Sequence, residues 1–184
     1  MIFNKTVQMM QELGRVVVQD GRQTLKKLKK QTKANTLYKD FDYIVGSDSK
    51  GVYVEWVFGG ASDYWDFVNE GVKGSGGFKG SGKMRGQGSP YSFKKNNIAR
   101  GVVMRWIANK PLKLRNAKGK FIEKNQANLK SASFLIGRAI AQRGLTRTLF
   151  FDKAFSKQVA KYEDQILQAF ADDFELALKE TFKD

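Results

Sequence analysis

The chain has 184 residues, 41% of them hydrophobic and 14 of them Phe, enough to bury a core and too apolar for a wholly disordered protein. It contains no Cys and no His, which removes disulfides, thiolate nucleophiles, zinc–sulfur sites and the side chain most used for proton transfer and metal binding. A non-enzymatic protein without a cofactor is expected, and the formal charge of +15 points to a polyanionic or acidic partner.

No apolar run approaches the roughly 20 residues that span a bilayer, and the first residues lack the pattern of a signal peptide. Synthesis in a cytoplasm and no membrane partner are therefore expected. The spacing of Val7, Met10, Val17, Leu25 and Leu28 predicts a helix from about residue 5 to 32, with Gly14 and Gly21 inside it. Each glycine weakens a helix by up to about 1 kcal/mol relative to Ala, so a kink or a close-packed backbone is expected there. The Lys26, Lys27, Lys29, Lys30 and Lys33 cluster suits the negative end of the helix dipole, or a nucleic acid.

A hairpin follows. Phe41, Tyr43 and Val45 alternate with polar residues, 46–51 reads as a loop, and Val52, Val54, Trp56 and Phe58 alternate again. The second strand is apolar on nearly both faces, so both are expected to be covered. After Gly59-Gly60, an amphipathic turn over 63–69 carries Tyr64, Trp65, Phe67 and Val68. Residues 71–88 then hold eight of the 18 glycines among lysines and serines. Such a stretch buries too little to offset its ordering entropy and reads as a long mobile loop inside one domain spanning 1–184.

A helix is expected over 97–109, with Ile98, Val102, Trp106 and Ile107 on one side and Lys110-Pro111 as its stop. A second basic loop, 112–125, leads to a helix over 126–143, with Gly144 as its C-cap. Residues 146–150 read as β-like. A final long helix starts near Asp152, its expected N-cap, with Phe155, Val159, Tyr162, Ile166, Phe170, Phe174 and Leu178 at helical spacing. The fold class is α+β: a small antiparallel sheet with long terminal helices, a middle helix pair and a long Gly/Lys-rich loop.

Charge is segregated along this order. From Gly71 to Ile122 there are thirteen Lys and Arg and no acid, whereas Asp152 to Asp184 carries eight acids against five lysines. A cationic middle suits DNA, and it equally suits head-to-tail packing of identical copies. The interleaved Phe78, Tyr91, Phe93 and Trp106 could stack on bases or could belong to the core and to loop anchors.

Two tempting motifs fail. Gly77-Phe78-Lys79-Gly80-Ser81-Gly82-Lys83-Met84 has the glycines and lysine of a phosphate-binding loop, but Met84 replaces the hydroxyl residue and no helix-forming run follows. Asp63, Asp66 and Glu70 share a helical face and could hold magnesium for phosphodiester cleavage. Ordinary surface carboxylates are the simpler account.

The order of pieces resembles the tail-completion or head–tail joining proteins of tailed bacteriophages. The likeness lies in Tyr64-Trp65-Asp66-Phe67-Val68-Asn69-Glu70-Gly71, in Ser89-Pro90-Tyr91-Ser92-Phe93, and in Ile136-Gly137-Arg138-Ala139-Ile140 with Gly144 and Phe150-Phe151. This chain departs from that family in a glycine-rich, basic loop. The resemblance implies a structural virion subunit made in the bacterial host. Copies would form a homo-oligomeric ring joining other neck, portal or tail proteins, with double-stranded DNA passing through non-specifically. Lys73, Lys79, Lys83, Arg85, Lys94 and Lys95 are then the candidates for lumen or inter-ring contact. Tyr64, Trp65, Phe67, Tyr91 and Phe93 are the candidates for subunit packing. The competing expectation is a free nucleic-acid-binding protein without sequence preference.

Overall fold

The computed structural model describes residues 3–28, 36–80, 82–95, 97–108 and 112–182. It is α+β, and it divides into two compact units. The first joins the chain's two ends, 1–69 and 148–184. The second is the stretch between them, 70–147.

In the first unit, helix α1 (Asn4–Lys27) packs along helix α6 (Phe150–Thr181). Leu13, Val17, Val18, Gly21 and Leu25 line the buried stripe of α1, at the three- and four-residue steps that a helix places on one face. The atoms nearest its two glycines are side-chain rings and not another backbone. A Cβ on Gly14 would enter the Tyr43 ring, and one on Gly21 would lie 2.6 Å from the Phe41 ring. Aromatic rings therefore occupy the space that larger residues would fill. Residues 29–35, with most of the lysine cluster, and Lys110-Pro111 lie outside the described residues.

After the short helix α2 (Thr36–Asp40) comes an antiparallel hairpin, β1 (Asp42–Asp48) and β2 (Gly51–Val57). Its turn is only Ser49-Lys50, because Asp48 pairs with Gly51. The Asp48 carboxylate accepts the Lys50 N–H at 2.7 Å and closes the turn. The expectation that both faces of β2 are covered fails. Tyr53 is 44% exposed, and Val52, Val54 and Trp56 are only partly buried. A two-stranded ribbon without a second layer leaves its outer face to solvent.

Behind the hairpin lies an aromatic core. Phe41 and Phe150 are fully buried, Phe58 stacks on Phe41 at 5.0 Å, and Trp65 stacks on Phe58 at 4.0 Å. Trp65 opens helix α3 (Trp65–Glu70). Helix α6 begins at Phe150, where β structure was expected, and Asp152 is not its cap. The preceding Leu149 has left-handed backbone (φ 50°) and offers no side-chain cap. Buried Asn69 supplies the partner instead: its side-chain oxygen accepts the Phe151 N–H at 3.2 Å, and its backbone carbonyl accepts the Leu149 N–H at 2.9 Å.

In the second unit, helix α4 (Arg100–Ala108) packs on helix α5 (Gln126–Arg143). Val103 and Ile107 are buried against Leu129, Ala132 and Ile136. Of the four residues expected on one side of this helix, Ile107 is buried and Ile98 packs against the same cluster, whereas Val102 and Trp106 are exposed. Asn125 caps α5 by accepting the Asn128 N–H at 2.9 Å, and Gly144 (φ 91°) ends it as its C-cap. The strands here are two short antiparallel ribbons: β3 (Val72–Lys73) with β6 (Gly144–Leu145), and β4 (Leu114–Arg115) with β5 (Phe121–Ile122).

Candidate nucleic-acid interface

The division into units sharpens the charge segregation. Between Glu70 and Arg147 lie eighteen Lys and Arg against two acids, Glu70 and Glu123, a net +16. The remainder has fifteen basic and sixteen acidic residues, a net −1. The second unit therefore carries the whole excess. Among the described residues its one ion pair is Arg147 to Glu70 at 2.7 Å. Cations so weakly compensated keep their field for an external anion.

The glycine-rich stretch is built against the end of α5. The Ser75 and Gly76 N–H groups donate to the Ala141 and Gln142 carbonyls at 3.0 and 3.2 Å, and the Arg85 N–H donates to the Arg143 carbonyl at 2.8 Å. The Arg143 guanidinium donates through Nε to the Lys83 carbonyl at 3.0 Å and lies over the Phe78 ring at 5.3 Å. Three backbones meet here without room for side chains. A Cβ on Gly144 would lie 2.5 Å from the Val72 carbonyl oxygen and 2.6 Å from the Gly74 nitrogen. The glycines at 74, 86 and 144 are thus explained by close backbone approach. The composition of the stretch had suggested a loop without such partners.

Lys73, Lys79, Lys83, Arg85, Lys94 and Lys95 are all exposed. Lys73 is the best fixed of them. Its backbone N–H donates to the Tyr91 carbonyl at 2.8 Å, and its carbonyl accepts the Phe93 N–H at 3.0 Å. Tyr91 and Phe93 thereby hold a third short segment beside β3, and both are partly buried. Tyr64 and Trp65 belong to the first unit and are used inside it: the Tyr64 hydroxyl accepts the Leu37 N–H at 3.2 Å, and Trp65 stacks on Phe58. Phe67 is exposed.

A feature not singled out from the sequence is the β4–β5 hairpin. The Asn116 side chain accepts the Lys118 and Lys120 N–H groups, each at 3.0 Å, and Gly119 (φ 78°) completes the turn. The hairpin displays Lys113, Arg115, Lys118 and Lys120, all exposed, around Phe121, which is 59% exposed. Arg115 lies over the Phe121 ring at 4.2 Å and Lys113 at 5.3 Å. The available signal was Asn116-Ala117-Lys118-Gly119, a turn sequence between two residue pairs that each contain a large apolar side chain.

The carboxylates suggested for magnesium do not gather. Glu70 pairs with Arg147, and among the described residues no three acids stand close enough to hold a metal ion. Among the described residues no helix starts in or just after the Gly77–Met84 stretch, and a phosphate-binding loop requires one. Among the described residues, no helix is long and apolar enough to cross a membrane. No protein-family model, characterised protein or solved structure matches the chain.

Proposed function

We propose that this chain is a non-enzymatic structural subunit of a tailed-phage neck or tail. Copies assemble into a ring that joins the portal or head to the tail and lines the passage for DNA. The observation that carries the reading is the confinement of a net +16 to one unit with a single described ion pair. A DNA passage needs cations that meet phosphates at any register and no geometry that reads bases. Exposed lysines on short ribbons and glycine-rich backbone meet that need. Helix α6, with seven acids against four lysines, offers acidic surface against which a neighbouring copy can pack.

A second reading, a free nucleic-acid-binding protein without sequence preference, draws on the β4–β5 hairpin. An exposed Phe among four cations is the combination that stacks on bases and holds phosphates in single strands. Light scattering of the purified chain across concentration and salt, with and without duplex DNA, separates the two. Closed oligomers of defined mass support the ring. A strict monomer that binds DNA steeply with falling salt supports the second reading.

A further inference from the structure

The first unit carries an open apolar groove of about 520 Å³. Its floor and walls are Met10 of α1, Val52, Val54 and Trp56 of β2, and Phe155 and Leu167 of α6. One carboxylate, Glu163, stands at its lip. Among the described residues Glu163 has no ion-pair partner within 4.0 Å. From Phe155 to Leu167 the groove follows α6 for about 18 Å at the helical rise.

Helix α4 is nine residues long, about 13 Å, and so fits within that length. It leaves Val102 (53% exposed) and Trp106 (45% exposed) one turn apart on a single outward face. Neither is used in the core of its own unit, where Val103 and Ile107 do the packing. Arg105 lies beside this face, is exposed, and makes no described ion pair. Tryptophan and arginine are both enriched among the residues that carry most of the binding energy at protein interfaces.

We propose that the groove receives helix α4 of a second copy of the chain, with Val102 and Trp106 seated against α6 and β2 and Arg105 meeting Glu163. Charge selects this occupant. Mutual pairing of two α6 helices would oppose helices that each carry seven acids against four lysines. The unit bearing α4 has a net +16 and meets a unit of net −1. The contact joins two different surfaces, so it is heterologous and propagates from copy to copy. It rests on the reading of the chain as a self-assembling subunit and says which surfaces assemble.

The absence of cysteine makes a direct test available. One preparation carries Val102→Cys and another Leu167→Cys, and they are mixed and treated with a short bis-maleimide. The mixture is expected to yield at least tenfold more covalent dimer than either preparation alone. Adding Trp106→Glu to the first preparation should abolish the product without changing its circular-dichroism melt. Arg105→Glu and Glu163→Arg should each lower the yield about tenfold, and the two together should restore it. Dominant dimer from the Leu167→Cys preparation alone would mean α6 self-pairing and would overturn the proposal. Oligomers by light scattering without cross-linked product would overturn it while leaving the ring reading intact. Monomers at every concentration would overturn both.

Discussion

The carboxylate of Asp173, near the end of α6, accepts both the backbone N–H and the hydroxyl of Thr6 at 2.8 Å, in the first turn of α1. Its other oxygen accepts the Lys5 N–H at 3.1 Å. Helix α1 has no side-chain cap of its own, so a residue 167 positions away caps it. Both residues are buried. The long helices of the first unit are thus capped in trans, α1 by Asp173 and α6 by Asn69.

Replacing Asp173 with Ala should cost about 2 kcal/mol, more than a surface cap, because buried donors lose a charged acceptor. Chemical denaturation of the variant against the parent chain measures it. Thr6→Ala should cost about half as much, since the backbone donors keep their partner.

Stability should fall in acid. Burial pushes the Asp173 carboxyl upward, but the Thr6 and Lys5 donors outweigh it and hold it below the usual carboxylate range. The Asp20 carboxyl is lowered too, chiefly by the hydrogen bond from Lys157 at 2.7 Å. A group with a depressed folded-state value binds its proton more readily when unfolded. Its contribution is full above about pH 4 and is lost as pH falls further, through the lowered values. Melting curves from pH 7 to 2 should show a decline starting near pH 4 that is shallower in Asp173→Asn, whose baseline is already lower.

Glycine substitutions should separate by site. Gly144→Ala should destabilise the second unit by about 2 kcal/mol or more. It sets a Cβ against the Val72 carbonyl and demands a left-handed backbone of an L-residue. Gly101→Ala, inside α4 with open space around it, should stabilise by about 0.5 kcal/mol. Thermal melts of the two variants should move in opposite directions.

Binding to a duplex oligonucleotide should weaken linearly in log–log plots against salt. Changing Lys113, Arg115, Lys118 and Lys120 together to Gln should reduce that slope by about one for each phosphate that these cations neutralise. Phe121→Ala should leave the slope unchanged and weaken single-stranded binding by about 1–3 kcal/mol if the ring stacks on a base. Fluorescence anisotropy across a salt series reads both.

Much of the architecture was legible because it is periodic. The long helices follow from the recurrence of Val7, Met10, Val17, Leu25 and Leu28 and of Phe155 to Leu178, and the β1–β2 hairpin from the alternation of Val52, Val54 and Trp56. The start of α6 was not legible, because its cap is Asn69, some eighty residues earlier. Which valine of α4 faces inward was not legible, because Val102 and Val103 are chemically identical and differ only in what packs against them. The glycines of 71–88 read as entropy. Their backbone partners, Val72 and Ala141 to Gly144, are far apart in sequence, so no local pattern could reveal the crowding. Of the site, the lysines were visible as a charge run. Phe121 was not, since its significance lies in two cations that a turn folds over it.

The first unit is made from the two ends of the chain, with 70–147 inserted between them. On a ribosome the chain emerges from its N-terminus, so α1 appears with its Leu13–Leu25 stripe uncovered. Its partner helix starts 123 residues after α1 ends. At ordinary elongation speeds that interval is on the order of ten seconds. Within it the whole sequence of the inserted cationic unit is synthesised. The groove needs Phe155 and Leu167 and is completed only after the inserted unit has been made, so nascent chains cannot offer it to one another before α6 appears.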